Sequence, residues 1–160
     1  MQKAILNLFP FIFYLLWNEE GKLIKLSFNF SFDLEPKILQ IGSIKAKKWV
    51  EEFYEAFLAY WNFEKDRVEI PHLENFTEFE KRVLKELSQL KIGEVITYKI
   101  LAERIGYPKA HRAIGRVMAK NPLPLVYPCH RVIGSKGLTG YSQGLILKQF
   151  LLYREIKYGF

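Results

Sequence analysis

The sequence predicts an α+β fold in two parts, a small strand-and-helix domain over residues 1–73 and a mostly helical domain over residues 74–160. Three observations carry this: hydrophobic alternation of period two near the start, apolar spacing near 3.6 in several later segments, and a division of charge at the middle. Residues 1–73 hold nine Lys or Arg against ten Asp or Glu, and residues 74–160 hold fifteen against seven, so the two parts net −1 and +8. A basic excess confined to one part points to a polyanionic partner such as DNA or RNA meeting that part. At 160 residues, 49% hydrophobic and 16% aromatic, the chain can build a real core, and no segment has the polar composition of disorder. The single cysteine, Cys129, excludes an internal disulfide framework and any zinc site needing two thiolates. A reducing cytoplasm is the expected compartment.

The apolar opening at 4–17 is interrupted by Asn7 and Pro10 and runs into a polar cluster at 18–21. It is shorter than the about 20 apolar residues of a membrane span and lacks a small-residue cleavage pattern, so it is expected to be a core strand. The cluster at 18–21 predicts a hairpin turn into a half-buried strand at 23–32, where Leu26, Phe28, Phe30 and Phe32 alternate with Lys25, Ser27, Asn29 and Ser31. Trp49, Val50, Phe53, Tyr54, Phe57 and Trp61 fall at helical spacing and predict an amphipathic helix over 45–61 that covers the sheet. A short further strand is expected at 67–71, with His72 as a linker residue.

The second part opens on Thr77 and Glu80, a capping box, ahead of a helix whose buried face is Phe79, Val83, Leu84, Leu87 and Leu90. Thr97 is placed to cap a short helix that Gly106 ends, and Pro108 to open a second helix through Lys120. The turn between them, about three residues with a glycine, is the spacing of a helix-turn-helix. On the second helix Lys109, Arg112, Arg116 and Lys120 form a basic stripe, while the small residues Ala113 and Gly115 allow close backbone approach to a ligand. Residues 134–144, rich in glycine, form a loop long enough to wall a pocket. In the final helix, 145–157, Glu155 follows Leu147 and Leu151 onto the apolar face, where a carboxylate needs a partner.

Cys129 has His130 and Arg131 beside it, groups able to lower a thiol pKa of about 8.5. Adjacent residues project in different directions, so a direct thiol–imidazole contact is not expected. A relay from Glu155 through His130 and a water to Cys129 would let the carboxylate orient the imidazole as the base.

Pro128, Cys129, His130, Arg131 and Val132, with GEVITY at 93–98 and KAHRAIG at 109–115, resemble the O6-alkylguanine-DNA alkyltransferase family. Asn121, Pro122, Tyr141, Ser142 and LLYRE at 151–155 extend the resemblance over about 76–156. The resemblance implies a ribonuclease-H-like first domain and a winged-helix-like second one. It implies base flipping and irreversible transfer of the O6-alkyl group from guanine in double-stranded DNA to Cys129, with no metal or cofactor. It assigns His130 and Glu155 to the relay and Asn121 to bracing the turn. Tyr98 would bind the flipped base and protonate N3, Ser142 N–H would meet O6, and the carbonyls of Cys129 and Val132 would take the exocyclic amine. Tyr141 and Pro124 would wall the pocket. Arg112 would enter the stack in place of the base, and the second helix, with Ala113, Gly115, Arg116, Lys109 and Lys120, would lie in the minor groove. A monomer is expected, with no membrane contact.

Gln143 replaces a glycine of some relatives and is expected to narrow the pocket; the loop before Tyr141 is one residue shorter than in the human member. Two other readings are a lesion-binding protein that transfers nothing, whose relatives lack the cysteine, and a helix-turn-helix regulator, which would need neither the cysteine segment nor Glu155.

Overall fold

The computed structural model describes residues 1–159, which divide into two compact units, Met1–Glu74 and a second beginning at Asn75. In the first, strands β1 (Gln2–Leu8), β2 (Phe11–Trp17), β3 (Leu23–Phe30) and β4 (Lys37–Ile41) form an antiparallel sheet in the order β3-β2-β1-β4. The opening apolar run is therefore two strands and not one. Proline has no N–H for a ladder, so the run folds back at Phe9 and Pro10, and Leu8 pairs with Phe11. The turn at 18–21 lies where its pattern puts it, but the alternating strand ends at Phe30 and not Phe32, whose ring is exposed outside the sheet.

Helix α1 (Ile44–Trp61) buries Ala46, Val50, Phe53, Phe57 and Tyr60. Phe13 meets Phe53 and Phe57 at ring-centroid distances of 5.1 and 4.9 Å, edge to face, the arrangement aromatic quadrupoles favour. Asn7, which breaks the opening hydrophobic run, is buried and donates through Nδ2 to the carbonyls of Asp33 (2.9 Å) and Glu35 (2.7 Å). That anchors the connection from β3 to β4.

The expected strand at 67–71 does not form. The segment makes one parallel bridge, His72 with Leu23, through Leu23 N–H to Pro71 O and Leu73 N–H to Leu23 O, both 2.9 Å. Its Val68 and Ile70 are apolar because they are buried. His72 is thus tied to β3 and is more than a linker. Strand β4 had no sequence signal, since all five of its residues are exposed at the sheet edge.

The second unit holds α2 (Glu78–Gln89), α3 (Tyr98–Arg104), α4 (His111–Ala119) and α5 (Leu145–Tyr158), with a parallel pair β5 (Ile96–Thr97) and β6 (Val132–Ile133). Thr77 Oγ1 accepts from Glu80 N–H at 3.3 Å while Glu80 Oε2 accepts from Thr77 N–H at 2.8 Å, completing the capping box. Thr97 caps α3 by accepting from Ile100 N–H (3.2 Å), and Gly106 follows its end at φ +81°. Helix α4 begins at His111 and not at Pro108, because Pro108 to Ala110 belong to a turn closed by Ala110 N–H to Tyr107 O (2.8 Å). The turn between the two helices is accordingly longer than three residues. Lys109 precedes the helix and Lys120 caps its C-terminal end, leaving Arg112 and Arg116 as the basic residues within it. Among the described residues no helix is long and apolar enough to cross a membrane.

Phe13 is fully buried, so Phe13→Ala should lower the stability of the first unit by about 3–5 kcal/mol through lost contacts and the cavity left behind. Urea denaturation followed by tryptophan fluorescence checks it, and a change under 1 kcal/mol would contradict this packing.

Candidate active site

Cys129, His130 and Arg131 form one 3-10 turn, buried throughout, between the loop after α4 and strand β6. The turn is held from behind by Asn121. Its Nδ2 donates to Tyr127 O (2.9 Å) and to Cys129 Sγ (3.2 Å), while its Oδ1 accepts from Leu123 N–H (3.0 Å). Within this brace Leu125 is left-handed, at φ +73°, a conformation that costs an ordinary side chain on the order of 1 kcal/mol or more.

No hydrogen bond joins Cys129 to His130. The imidazole turns away, and its Nε2 meets Glu155 Oε1 at 2.7 Å. Arg131 grips the same carboxylate through Nε (2.8 Å, Oε2) and Nη2 (3.0 Å, Oε1), and its Nη1 donates to Leu90 O (2.8 Å) at the end of α2. Burial would raise the Glu155 pKa, but His130 and Arg131 outweigh it and hold the carboxyl well below the usual range. An ionised carboxylate can only accept, so Nε2 carries the imidazole proton. Nδ1 is then the basic atom, and it is buried with no hydrogen-bond partner.

Burial lowers the His130 pKa against the attraction of Glu155, so the ring is neutral. Burial also pushes the Cys129 thiol up, although the Asn121 hydrogen bond and the Lys148 charge pull the other way. The expected lowering by neighbouring His130 and Arg131 is not what occurs. The resting sulfur is a thiol, which needs a base, and His130 has a free one to offer.

In front of the sulfur lies a cavity of about 270 Å³ lined by Tyr98, Gly115, Met118, Ala119, Cys129, Gly140, Tyr141 and Ser142. The β5–β6 pairing, Ile96 with Val132, brings Tyr98 to the segment that follows Cys129. Pro124 and Val132 are buried and do not line this cavity; the α4 residues Met118 and Ala119 do. Gln143 is also absent from its wall, and its Nε2 donates to Ser142 Oγ at 3.3 Å. A second, larger hollow of about 620 Å³ runs along α4 past Lys99, Lys109, His111, Arg112, Gly115 and Ser135. Arg112 and Arg116 are exposed.

Two roles escaped the sequence reading. Arg131 shares Glu155 with His130, and Lys148, wholly buried on α5, donates to backbone carbonyls around the cavity. A cation on the apolar face of the last helix was the signal for Lys148.

The fold and site define a two-unit α+β protein whose basic helical unit presents one buried thiol at a cavity beside paired helices. The family described as 6-O-methylguanine DNA methyltransferase, DNA binding domain, matches residues 78–157. The methylated-DNA–protein-cysteine methyltransferase of Methanosarcina barkeri is 42% identical over 113 residues, covering 70% of this chain and 72% of that one. The O6-methylguanine methyltransferase structure of Mycobacterium tuberculosis superposes with TM-score 0.73 at 27% identity, over 98% of this chain and 93% of that one. The OGT of the same organism in complex with DNA gives 0.68 at 29% identity, over 91% and 86%. The chain belongs to the methylated-DNA–protein-cysteine methyltransferase family.

The buried His130–Glu155 pair makes stability depend on pH in two windows. A histidine with a lowered folded pKa binds its proton more readily when unfolded, so stability is lost as pH falls through about 6.5. A carboxyl with a lowered folded pKa contributes stability above its unfolded value, lost as pH falls below about 4.3. Urea midpoints from pH 8 to 3 should decline in both windows for the native protein, and the upper decline should shrink in His130→Asn.

Gly115 has no packing reason to be glycine, since a Cβ there would meet nothing within 4 Å. Gly115→Ala should therefore stabilise the free protein by up to about 1 kcal/mol while slowing repair of duplex DNA, because Gly115 lines both hollows. Thermal melting and a repair assay on the same variant check the two signs together.

Proposed function

We propose that the protein repairs DNA by moving the O6-alkyl group of a flipped guanine onto Cys129, once per molecule. The observation that carries this is the cavity that places the only thiol of the chain among Tyr98, Tyr141, Ser142 and Gly115 of α4, the helix that also bears exposed Arg112. The sulfur gives its proton through one water to His130 Nδ1, whose Nε2–H stays bonded to Glu155. Sulfur then attacks the alkyl carbon in line with the breaking carbon–O6 bond, whose electron pair passes to the guanine ring. Tyr98 supplies a proton to N3 of the departing base, and the Ser142 N–H meets O6. The Cys129 carbonyl takes the exocyclic amine and so distinguishes guanine, and Tyr141 shapes the wall around base and alkyl group, while Pro124 and Val132 support the site from behind that wall. Since a thioether has no good leaving group, the sulfur is consumed.

Arg112 fills the stack after extrusion, offsetting an unstacking cost of a few kcal/mol. Helix α4 lies in the minor groove, with Lys109, Ala113, Gly115, Arg116 and Lys120 along the phosphates and the groove floor. A groove that reads sequence poorly suits a protein that inspects many sequences. The loop after β6 acts as the wing of a winged helix, and the sheet and α1 of the first unit fit a ribonuclease-H-like domain. Cys129 itself speaks against a protein that only binds lesions.

Incubation with a duplex containing O6-methylguanine should add one methyl group to Cys129, seen by peptide mass spectrometry at no more than one equivalent per protein. Cys129→Ser should bind the duplex and acquire none. An unmodified native protein after prolonged incubation would refute the transfer.

A further inference from the structure

Lys148 lies wholly buried on α5. Its Nζ donates to three backbone carbonyls, Val132 (2.6 Å), Thr139 (3.0 Å) and Gly140 (3.2 Å), which account for all three ammonium protons. Among the described residues it makes no ion pair with a carboxylate. A buried cation with no anion is costly, and a methionine would fill the same space without that cost. The charge and the three-way geometry therefore have a purpose other than packing.

The three carbonyls show what it is. Val132 begins β6, immediately after the turn that holds Cys129. Thr139 and Gly140 immediately precede Tyr141 and Ser142, and Gly140, Tyr141 and Ser142 are consecutive wall residues of the cavity. Residues 134–144 otherwise form a glycine-rich loop with no regular structure beyond a bridge between Gly134 and Gly137. We propose that Lys148 is a positioning residue for alkyl transfer, fastening the wall that carries Tyr141 and Ser142 to β6 and presenting its charge to Cys129. This rests on the alkyl-transfer reading above.

Two effects follow from the one ammonium. Geometrically, the cavity keeps its shape before a base enters, so no binding free energy is spent ordering the loop. Electrostatically, the resting thiol and buried lysine coexist without strong attraction, but as the proton leaves sulfur the new thiolate faces a fixed cation in a buried site. The interaction is strongest when charge develops. Consistent with this, the Lys148 charge draws the thiol pKa down against its burial, and the nearby Cys129 is the one group that favours the charged form of Lys148.

The test compares the full-length native protein with Lys148→Met and Lys148→Arg in two assays. One is the rate of methyl transfer from an O6-methylguanine duplex to Cys129. The other is the rate of Cys129 alkylation by iodoacetamide across pH, without DNA. Lys148→Met should move the iodoacetamide profile up by about one pH unit, a roughly tenfold slower reaction at a fixed lower pH, and should slow methyl transfer by at least as much. Lys148→Arg should restore the iodoacetamide profile. Because a planar guanidinium cannot donate to three diverging carbonyls, it should restore only part of the transfer rate. A Lys148→Met protein with both rates within twofold of native overturns the proposal. So does one that loses transfer with an unmoved iodoacetamide profile, since that is what a merely structural lysine would give. If Lys148→Met does not fold, Lys148→Gln keeps two donors without the charge and is judged by the same profile. A native protein that reacts with iodoacetamide but never accepts methyl from DNA overturns the alkyl-transfer reading instead, and the iodoacetamide comparison still decides whether Lys148 acts on the thiol.

Discussion

The carboxylate of Glu155 is the interaction on which the site depends. Buried on α5, it receives His130 on one oxygen and Arg131 on both, while Arg131 reaches on to the carbonyl of Leu90, which caps α2. One anion thereby joins two helices to the 3-10 turn and fixes the direction in which His130 points. Removing one partner of such a group leaves the others buried and unpaired, a loss of about 3–5 kcal/mol in comparable settings. The arrangement explains why three consecutive residues can be buried although two of them are basic. Each of the two finds the same carboxylate.

Fixing the imidazole has a chemical consequence for the sulfur. Because Nε2 is committed to Glu155, only Nδ1 can act as base, and it does so without a direct contact to Cys129. A permanently lowered thiol would be exposed to any electrophile able to enter the cavity. Burial instead keeps Cys129 protonated and quiet, so that reactivity depends on a base, a water and a correctly placed alkyl carbon together. The neighbouring cation Arg131, which sequence adjacency suggests as an activator, is spent on Glu155.

Much of this was legible in the sequence because it rests on local chemistry. The capping box at Thr77 and Glu80, the Thr97 cap and the period of α1 and α5 are determined within a few residues, and Glu155 stood out as a carboxylate on an apolar face. The failures were non-local. Strand β4 is exposed on every residue, so no alternation marked it, and its pairing with β1 is decided by a partner some thirty residues away. The parallel pair β5–β6 is two residues long in each strand, too short for any pattern, yet it brings Tyr98 to the cavity. Pro108 looked like the first residue of a helix, a position it favours, but the turn closed by Tyr107 and Ala110 took precedence.

Several local costs converge on the one cavity. Leu125 adopts a left-handed backbone beside the Asn121 brace, Lys148 buries a charge, the Cys129 thiol is held away from its easier ionisation, and Gly115 weakens a short helix with no packing return. Each lies within the unit beginning at Asn75, and even Lys148, whose three carbonyl partners satisfy its protons, has no carboxylate to offset its charge. In a chain whose caps and core otherwise agree with its local sequence, such disagreements gather where function opposes stability. The first unit has scattered costs of the same kind, Phe63 at φ +61° and the buried, unpartnered Trp17 Nε1 and Ser43 Oγ, although its buried Asn7 is matched to the carbonyls of Asp33 and Glu35. What sets the second unit apart is that its costs gather around one thiol, so strain and motif agree on Cys129.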